Sequence, residues 1–296
     1  MADPHTFAIA ASGWRAEIAP GVGGSLASLT LDDVPVLRSA RAGSADPTEL
    51  ACFPLVPFAN RVDRGLFSWQ GTNVSLKPNH LPEVHALHGS GWQAEWEMMQ
   101  QRDFKASMRY RHEGCDPAPF PSDSDRWPWA FEAEQRVRLG ERGCAITLDV
   151  TNCANVPMPA GLGLHPYFRR RTETRLRFRS NGIFLVDELL VPTGEFAASD
   201  HFADFSNGAA LPDQKIDHCF VAWGGEAVLE DALGTIRLSA QGAPYLHVYA
   251  PAGAGFVCLE PVSHMPDALN QDPGGVTSLP PGCTASLRVW IEAELA

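Results

Sequence analysis

Phe131-Glu132-Ala133-Glu134-Gln135-Arg136-Val137-Arg138-Leu139 is the stretch on which the fold class turns. Charged residues hold every even position and mostly apolar ones every odd position. Successive side chains of a strand point to opposite faces, so this period of two predicts a half-buried strand. The same pattern recurs outward along the chain. Ile146, Leu148 and Val150 alternate with Thr147 and Asp149. Leu176 and Phe178 lie among Arg175, Arg177 and Arg179, and Ile236 and Leu238 flank Arg237. Near the end, Leu287, Val289, Ile291 and Ala293 share one face, with Arg288, Trp290, Glu292 and Glu294 on the other. Helical spacing is sustained nowhere; short helices are expected only around 48–52 and 267–270. The fold class is therefore all-β, with two or more sheets stacked on one another.

The 296 residues read as a single domain, 1–296, because apolar alternation resumes directly after each polar stretch. Two long loops are expected, Asp116–Trp129 and Glu195–Gln214. No fixed repeat points to a propeller or solenoid. The net charge of -12 argues against nucleic acid, whose phosphates call for a basic surface. The seven cysteines include no Cys-x-x-Cys pair, and most read as reduced, small apolar residues. The N-terminus shows no basic stretch followed by an apolar run, and no apolar run is long enough to span a membrane. The expectation is a cytoplasmic protein without membrane association, a monomer or homodimer.

Familiar cofactor and nucleophile signatures are missing: no Gly-x-Ser-x-Gly elbow, no phosphate loop and no dinucleotide fingerprint. What remains is histidine and carboxylate, the components of proton transfer. His165 lies in Gly161-Leu162-Gly163-Leu164-His165-Pro166-Tyr167-Phe168, between a flexible run and a rigid one. Read alone, it is equally a satisfied core histidine at a strand end. Asn60-Arg61 follows an apolar, proline-rich run and offers a fork of donors for hydroxyls; the competing reading is an Arg61 that pairs with a carboxylate. His85 and His88 stand three apart with no third ligand near, which does not make a metal site. His88 precedes Gly89, where backbone can approach a ligand, and His85 reads as a supporting residue. Asp217 precedes an apolar strand as a turn or cap residue or as a site carboxylate. Glu260 ends the apolar run Phe256–Leu259, where a carboxylate needs a partner or a ligand. Asp267 and Asn270 form a polar pair close behind it.

Taken in order, Gly23-Gly24, Asn60-Arg61, His88-Gly89 with Trp96, Gly161 to Phe168, Asp217-His218-Cys219-Phe220 and Glu260 resemble the aldose 1-epimerase (galactose mutarotase-like) family. The resemblance runs from about Gly23 to Ile291. It implies a β-supersandwich of antiparallel sheets, a free aldose as the small-molecule partner, and no cofactor. It also implies Glu260 as general base and His165 as general acid, with His88 near the ring oxygen and Arg61 and Asp217 on hydroxyls. Tyr167, Trp127 and Phe67 are candidates to stack on the sugar. Phosphosugar relatives usually carry an arginine shortly after the His-Gly pair. Here Ser90-Gly91-Trp92 follows, which favours an unphosphorylated sugar. Two other readings compete: a sugar-binding protein without catalysis on the same fold, and another carbohydrate enzyme such as a hydrolase or hexose-phosphate epimerase.

Overall fold

A computed structural model describes residues 6–41, 43–115, 126–271 and 275–296. Two large sheets dominate it, and every strand pair within them is antiparallel. The nine-stranded sheet contains the alternating segments: Lys105–His112, Phe131–Gly140, Gly143–Asn152, Thr284–Leu295 and Gly234–Gln241 are successive neighbours. Their apolar residues, among them Val137, Ile146, Leu148, Leu287, Val289 and Leu238, point inward and are fully buried. Their charged residues face solvent, which is the physical origin of the strict period of two.

The eleven-stranded sheet reads differently. At its centre run Cys52–Leu55, Gly163–Arg169, Phe256–Val262, Tyr245–Ala250 and Ile216–Val221. One face of these strands contributes Phe168, Val257, Leu259, Leu246, Val248 and Phe220 to the core between the sheets. The opposite face is covered as well, by the segment running through residues 56–92, under which a smaller cluster of Phe53, Trp92, Tyr167 and Cys258 forms. A strand covered on both faces has no solvent side, so Gly163–Arg169 and Cys52–Leu55 are buried at every position.

That double burial corrects several expectations. His165 lies inside a strand, not at its end. The strand carrying Glu260 does not stop at Leu259 but continues to Val262, so Glu260 is mid-sheet. Asp217 is the second residue of strand Ile216–Val221 and not a turn or cap. The expected helix at 48–52 is a single 3-10 turn, Pro47–Glu49, capped by the Asp46 side chain, and Cys52 already begins a strand. Residues 267–270 form a turn closed on the Asp267 carbonyl rather than a helix. The expected loop 195–214 begins inside strand Pro192–Ala197 and includes Ala209–Ala210, which pairs with Arg175–Phe178. Of the other expected loop, residues 116–125 lie outside the described residues. Four cysteines, Cys52, Cys144, Cys219 and Cys258, are buried and all seven are free thiols. Among the described residues no helix is long and apolar enough to cross a membrane.

Candidate active site

The face of the large sheet turned away from the sandwich core carries the polar residues. Cross-strand neighbours share a face, so the register shows which side chains meet. His165 pairs with Phe53 on one side. On the other side, the pairs Gly163–Val262 and Tyr167–Cys258 bracket His165 and set it opposite Glu260. Glu260 pairs with His247, and His247 with Cys219. One rung therefore reads Phe53, His165, Glu260, His247, Cys219. The next reads Tyr167, Cys258, Tyr249, Asp217. All of these except Cys219 and Cys258 line a cavity of about 380 Å³, within the ~300–1,000 Å³ range usual for small-molecule sites.

The wall comes from two short pieces. Arg61–Val62 pairs with Ala86–Leu87, which sets Asn60 and His88 against each other. The Asn60 N–H donates to His88 Nδ1 at 3.0 Å, and the His88 N–H donates to the Asn60 carbonyl at 2.9 Å. Both residues adopt a left-handed backbone, φ 58° in each case, a costly conformation retained where surrounding structure demands it. Gly89 completes the bend at φ 71°, and a Cβ there would lie 2.2 Å from the Val56 carbonyl oxygen. Gly89→Ala is accordingly expected to destabilise the protein by about 2 kcal/mol or more. Urea unfolding at neutral pH measures this; an unchanged midpoint would refute the close approach.

His165 Nε2 lies 3.2 Å from Glu260 Oε1. The imidazole is held in a stack, with Phe53 at 4.5 Å and Tyr167 at 4.7 Å between ring centroids. Burial in this apolar sleeve pushes the His165 pKa down, and the nearby His247 and Arg38 add to that. Glu260 moves the other way: burial raises its pKa well above the ordinary carboxylate value, the Asp217 charge reinforces this, and Arg61 opposes it. Both shifts disfavour the charged forms and so favour a shared proton on the carboxyl. Glu260 Oε2 has no hydrogen-bond partner among the described residues, an uncommon state for a buried oxygen.

His88 is also held neutral, first by burial and then by the neighbouring His165 and Arg61. Since its Nδ1 accepts the Asn60 N–H, its proton belongs on Nε2. Asp217 faces His247 Nε2 at 2.8 Å and two cations, Lys215 Nζ at 3.1 Å and Arg61 Nη2 at 3.9 Å. Burial alone would raise its pKa, but the hydrogen bond from His247 and these charges hold it well below the usual range. Arg61 does pair with a carboxylate, as the competing reading held: Nη2 and Nε reach the two oxygens of Glu83 at 2.8 and 3.3 Å. It lines the cavity all the same.

The residues singled out from sequence, Asn60, Arg61, His88, His165, Asp217 and Glu260, thus line one cavity. His85 does not; its Nδ1 accepts the Arg64 N–H and lies 3.3 Å from Asp63. Asp267 and Asn270 are also elsewhere, where Asp267 accepts from the Asp63 N–H and the Asn270 amide. Of the candidate aromatics only Tyr167 faces the cavity; Phe67 and Trp127 stack on each other in the sandwich core. The sequence reading missed His247, although a signal existed. In Tyr245-Leu246-His247-Val248-Tyr249 the odd positions form a polar-tipped face that suits a cavity floor. It also missed Arg38, Glu83 and Lys215, which reach the cavity from loops and strand ends and carry no periodic mark.

The family model for aldose 1-epimerase matches residues 7–292. The uncharacterized protein YphB of Escherichia coli K12 is 32% identical over 284 residues, covering 92% of this chain and 93% of its own. A crystal structure from the same organism, described as that of a protein proposed to be an aldose 1-epimerase, superposes with a TM-score of 0.89 at 29% identity, over 98% of this chain and 99% of that one. A galactose mutarotase-like protein from Clostridium acetobutylicum shares the fold, with a TM-score of 0.83 at 21% identity, over 98% of this chain and 95% of its own. On a model match from one end of the double sheet to the other, the chain belongs to the aldose 1-epimerase family.

Proposed function

We propose that this protein interconverts the α- and β-anomers of a free aldose by acid–base ring opening, without a cofactor. The observation that carries the reading is the 3.2 Å contact of His165 Nε2 with Glu260 Oε1 on the floor of a polar cavity. The anomeric carbon bears two oxygens, the hydroxyl and the ring oxygen. Glu260 takes the hydroxyl proton while His165 gives one to the ring oxygen. The C1–O5 bond breaks, its electron pair stays on O5, and the C1 carbonyl forms. Rotation about C1–C2 exposes the other carbonyl face. Closing returns each proton, so the pair ends as it began.

Glu260 as base and His165 as acid require the shared proton on the imidazole. The Arg61 charge favours the ionised Glu260, and sugar hydroxyls that fill the cavity solvate both charges. His88 Nε2–H is a neutral donor towards the ring-oxygen side. Asp217 and the Asn60–Arg61 fork hold the remaining hydroxyls. Each proton transfer contributes typically ~10²–10⁴-fold, enough for a reaction that already proceeds in water.

Polarimetry or NMR exchange on freshly dissolved aldoses tests the reading. Rotation that decays only at the buffer rate across a panel of sugars would leave a binding protein without catalysis. The pH profile is a second test. The active form holds one proton across the pair, so activity ends when a second proton binds or the only one leaves. Because His165 is pushed down, the second proton binds only below the ordinary histidine value of ~6.5. Because Glu260 is pushed up, the last proton leaves only well above the ordinary carboxylate value of ~4.3. The acid limb of the profile is therefore expected below ~6.5 and the alkaline limb well above ~4.3. A fall in rate that sets in as pH drops through ~6.5, the ordinary histidine value, contradicts the lowered His165.

A further inference from the structure

Arg38 lines the cavity but has no part in the proton transfers. Its backbone N–H donates to the Tyr167 carbonyl at 2.9 Å. Its guanidinium lies over the Tyr167 ring, Cζ 3.3 Å from the centroid, and 4.9 Å from that of Phe256. Nε donates to the Leu50 carbonyl at 3.0 Å, and Nη2 donates to the Thr48 carbonyl. A guanidinium has five N–H groups, so these two bonds leave donors to spare. The other cations of the cavity each have a carboxylate, Glu83 for Arg61 and Asp217 for Lys215. Arg38 has none within ion-pair distance among the described residues. A half-buried, permanently charged group without a counter-charge is expensive to keep. A neutral aldose would leave it unmatched.

Taking the site as that of an aldose epimerase, we propose that its aldose carries a carboxylate, as a hexuronate does, and that Arg38 holds it through paired N–H···O bonds. The placement fits. Tyr167 stacks on His165 at 4.7 Å, and Arg38 stands on Tyr167. The guanidinium thus stands one ring beyond the proton donor, and both line the same cavity. The planar fork of arginine matches a carboxylate in two parallel bonds. One unmatched guanidinium answers one negative charge. A phosphate dianion would bring a second, into a cavity that already holds Asp217 and Glu260.

Anomer exchange by NMR on glucuronate, glucose and glucose 6-phosphate tests this on the unaltered protein. The expected result is a higher kcat/KM for glucuronate than for either of the others. A ratio of glucuronate to glucose at or below one overturns the inference and leaves the epimerase reading intact. Faster exchange of the phosphate overturns the choice of carboxylate. Acceleration of no sugar at all removes the epimerase reading on which the inference rests. Arg38→Gln is then expected to lower the glucuronate-to-glucose ratio by roughly 10–150-fold, and Arg38→Lys, which keeps the charge without the fork, by less. A ratio unmoved by Arg38→Gln shows that Arg38 only braces Thr48 and Leu50. Should Arg38→Gln not fold, the ratio in the unaltered protein still decides.

Discussion

Glu260→Gln is expected to lower the rate of anomer exchange by about 10²–10⁴-fold and to leave the protein at least as stable as before. The amide matches the carboxyl in shape but cannot take a proton, so the anomeric hydroxyl keeps its own. The stability half of the expectation follows from the pKa shift. A carboxyl whose folded value is raised stabilises the fold below its unfolded value of ~4.3 and loses that contribution as pH rises towards the folded value. Between those limits burial costs about 1.4 kcal/mol per pH unit. Glutamine does not ionise and removes that cost. Polarimetry and urea unfolding at pH 7 on the same preparation read both effects. A variant that unfolds earlier and keeps its rate would make Glu260 a structural residue. A variant that keeps both would leave Glu260 without a role.

His165→Asn has an expected effect of similar size, ~10²–10⁴-fold on the rate, together with some loss of stability. Asparagine is smaller than imidazole, so the stack between Phe53 and Tyr167 loses its middle ring. It also has no group that titrates between water and sugar. Because the two residues share one proton, they act as a unit and their effects do not add. The double variant Glu260→Gln/His165→Asn should therefore be little slower than either single one. If the double variant multiplied the two losses, the residues would be acting at separate steps, and the shared-proton account would fail.

Each of these expectations depends on which side chains meet, and here sequence and structure contribute differently. The nine-stranded sheet was legible residue by residue, from Phe131 through Leu139 and from Leu287 through Ala293. One face of it meets water, and water enforces alternation. The central strands of the other sheet lacked that mark. Gly163–Arg169 is covered on both faces, so its composition does not reveal which side chains face a cavity. This is why His165 could pass for a core histidine and why Glu260 read as a strand end.

The chain alone determined the strand class, the charge that weighs against nucleic acid, and a set of histidines and carboxylates in an order resembling the aldose 1-epimerases. It did not determine their distances, because residues 61, 88, 165, 217 and 260 are brought together by strand pairing between segments far apart. Only the register of that pairing put His165 opposite Glu260 and His247 beside it. Only the packing of rings around the imidazole and the burial of the carboxyl pushed their pKa values in opposite directions. The state of a proton depends on its surroundings in space, and for this pair those surroundings come from strands that sequence order keeps apart.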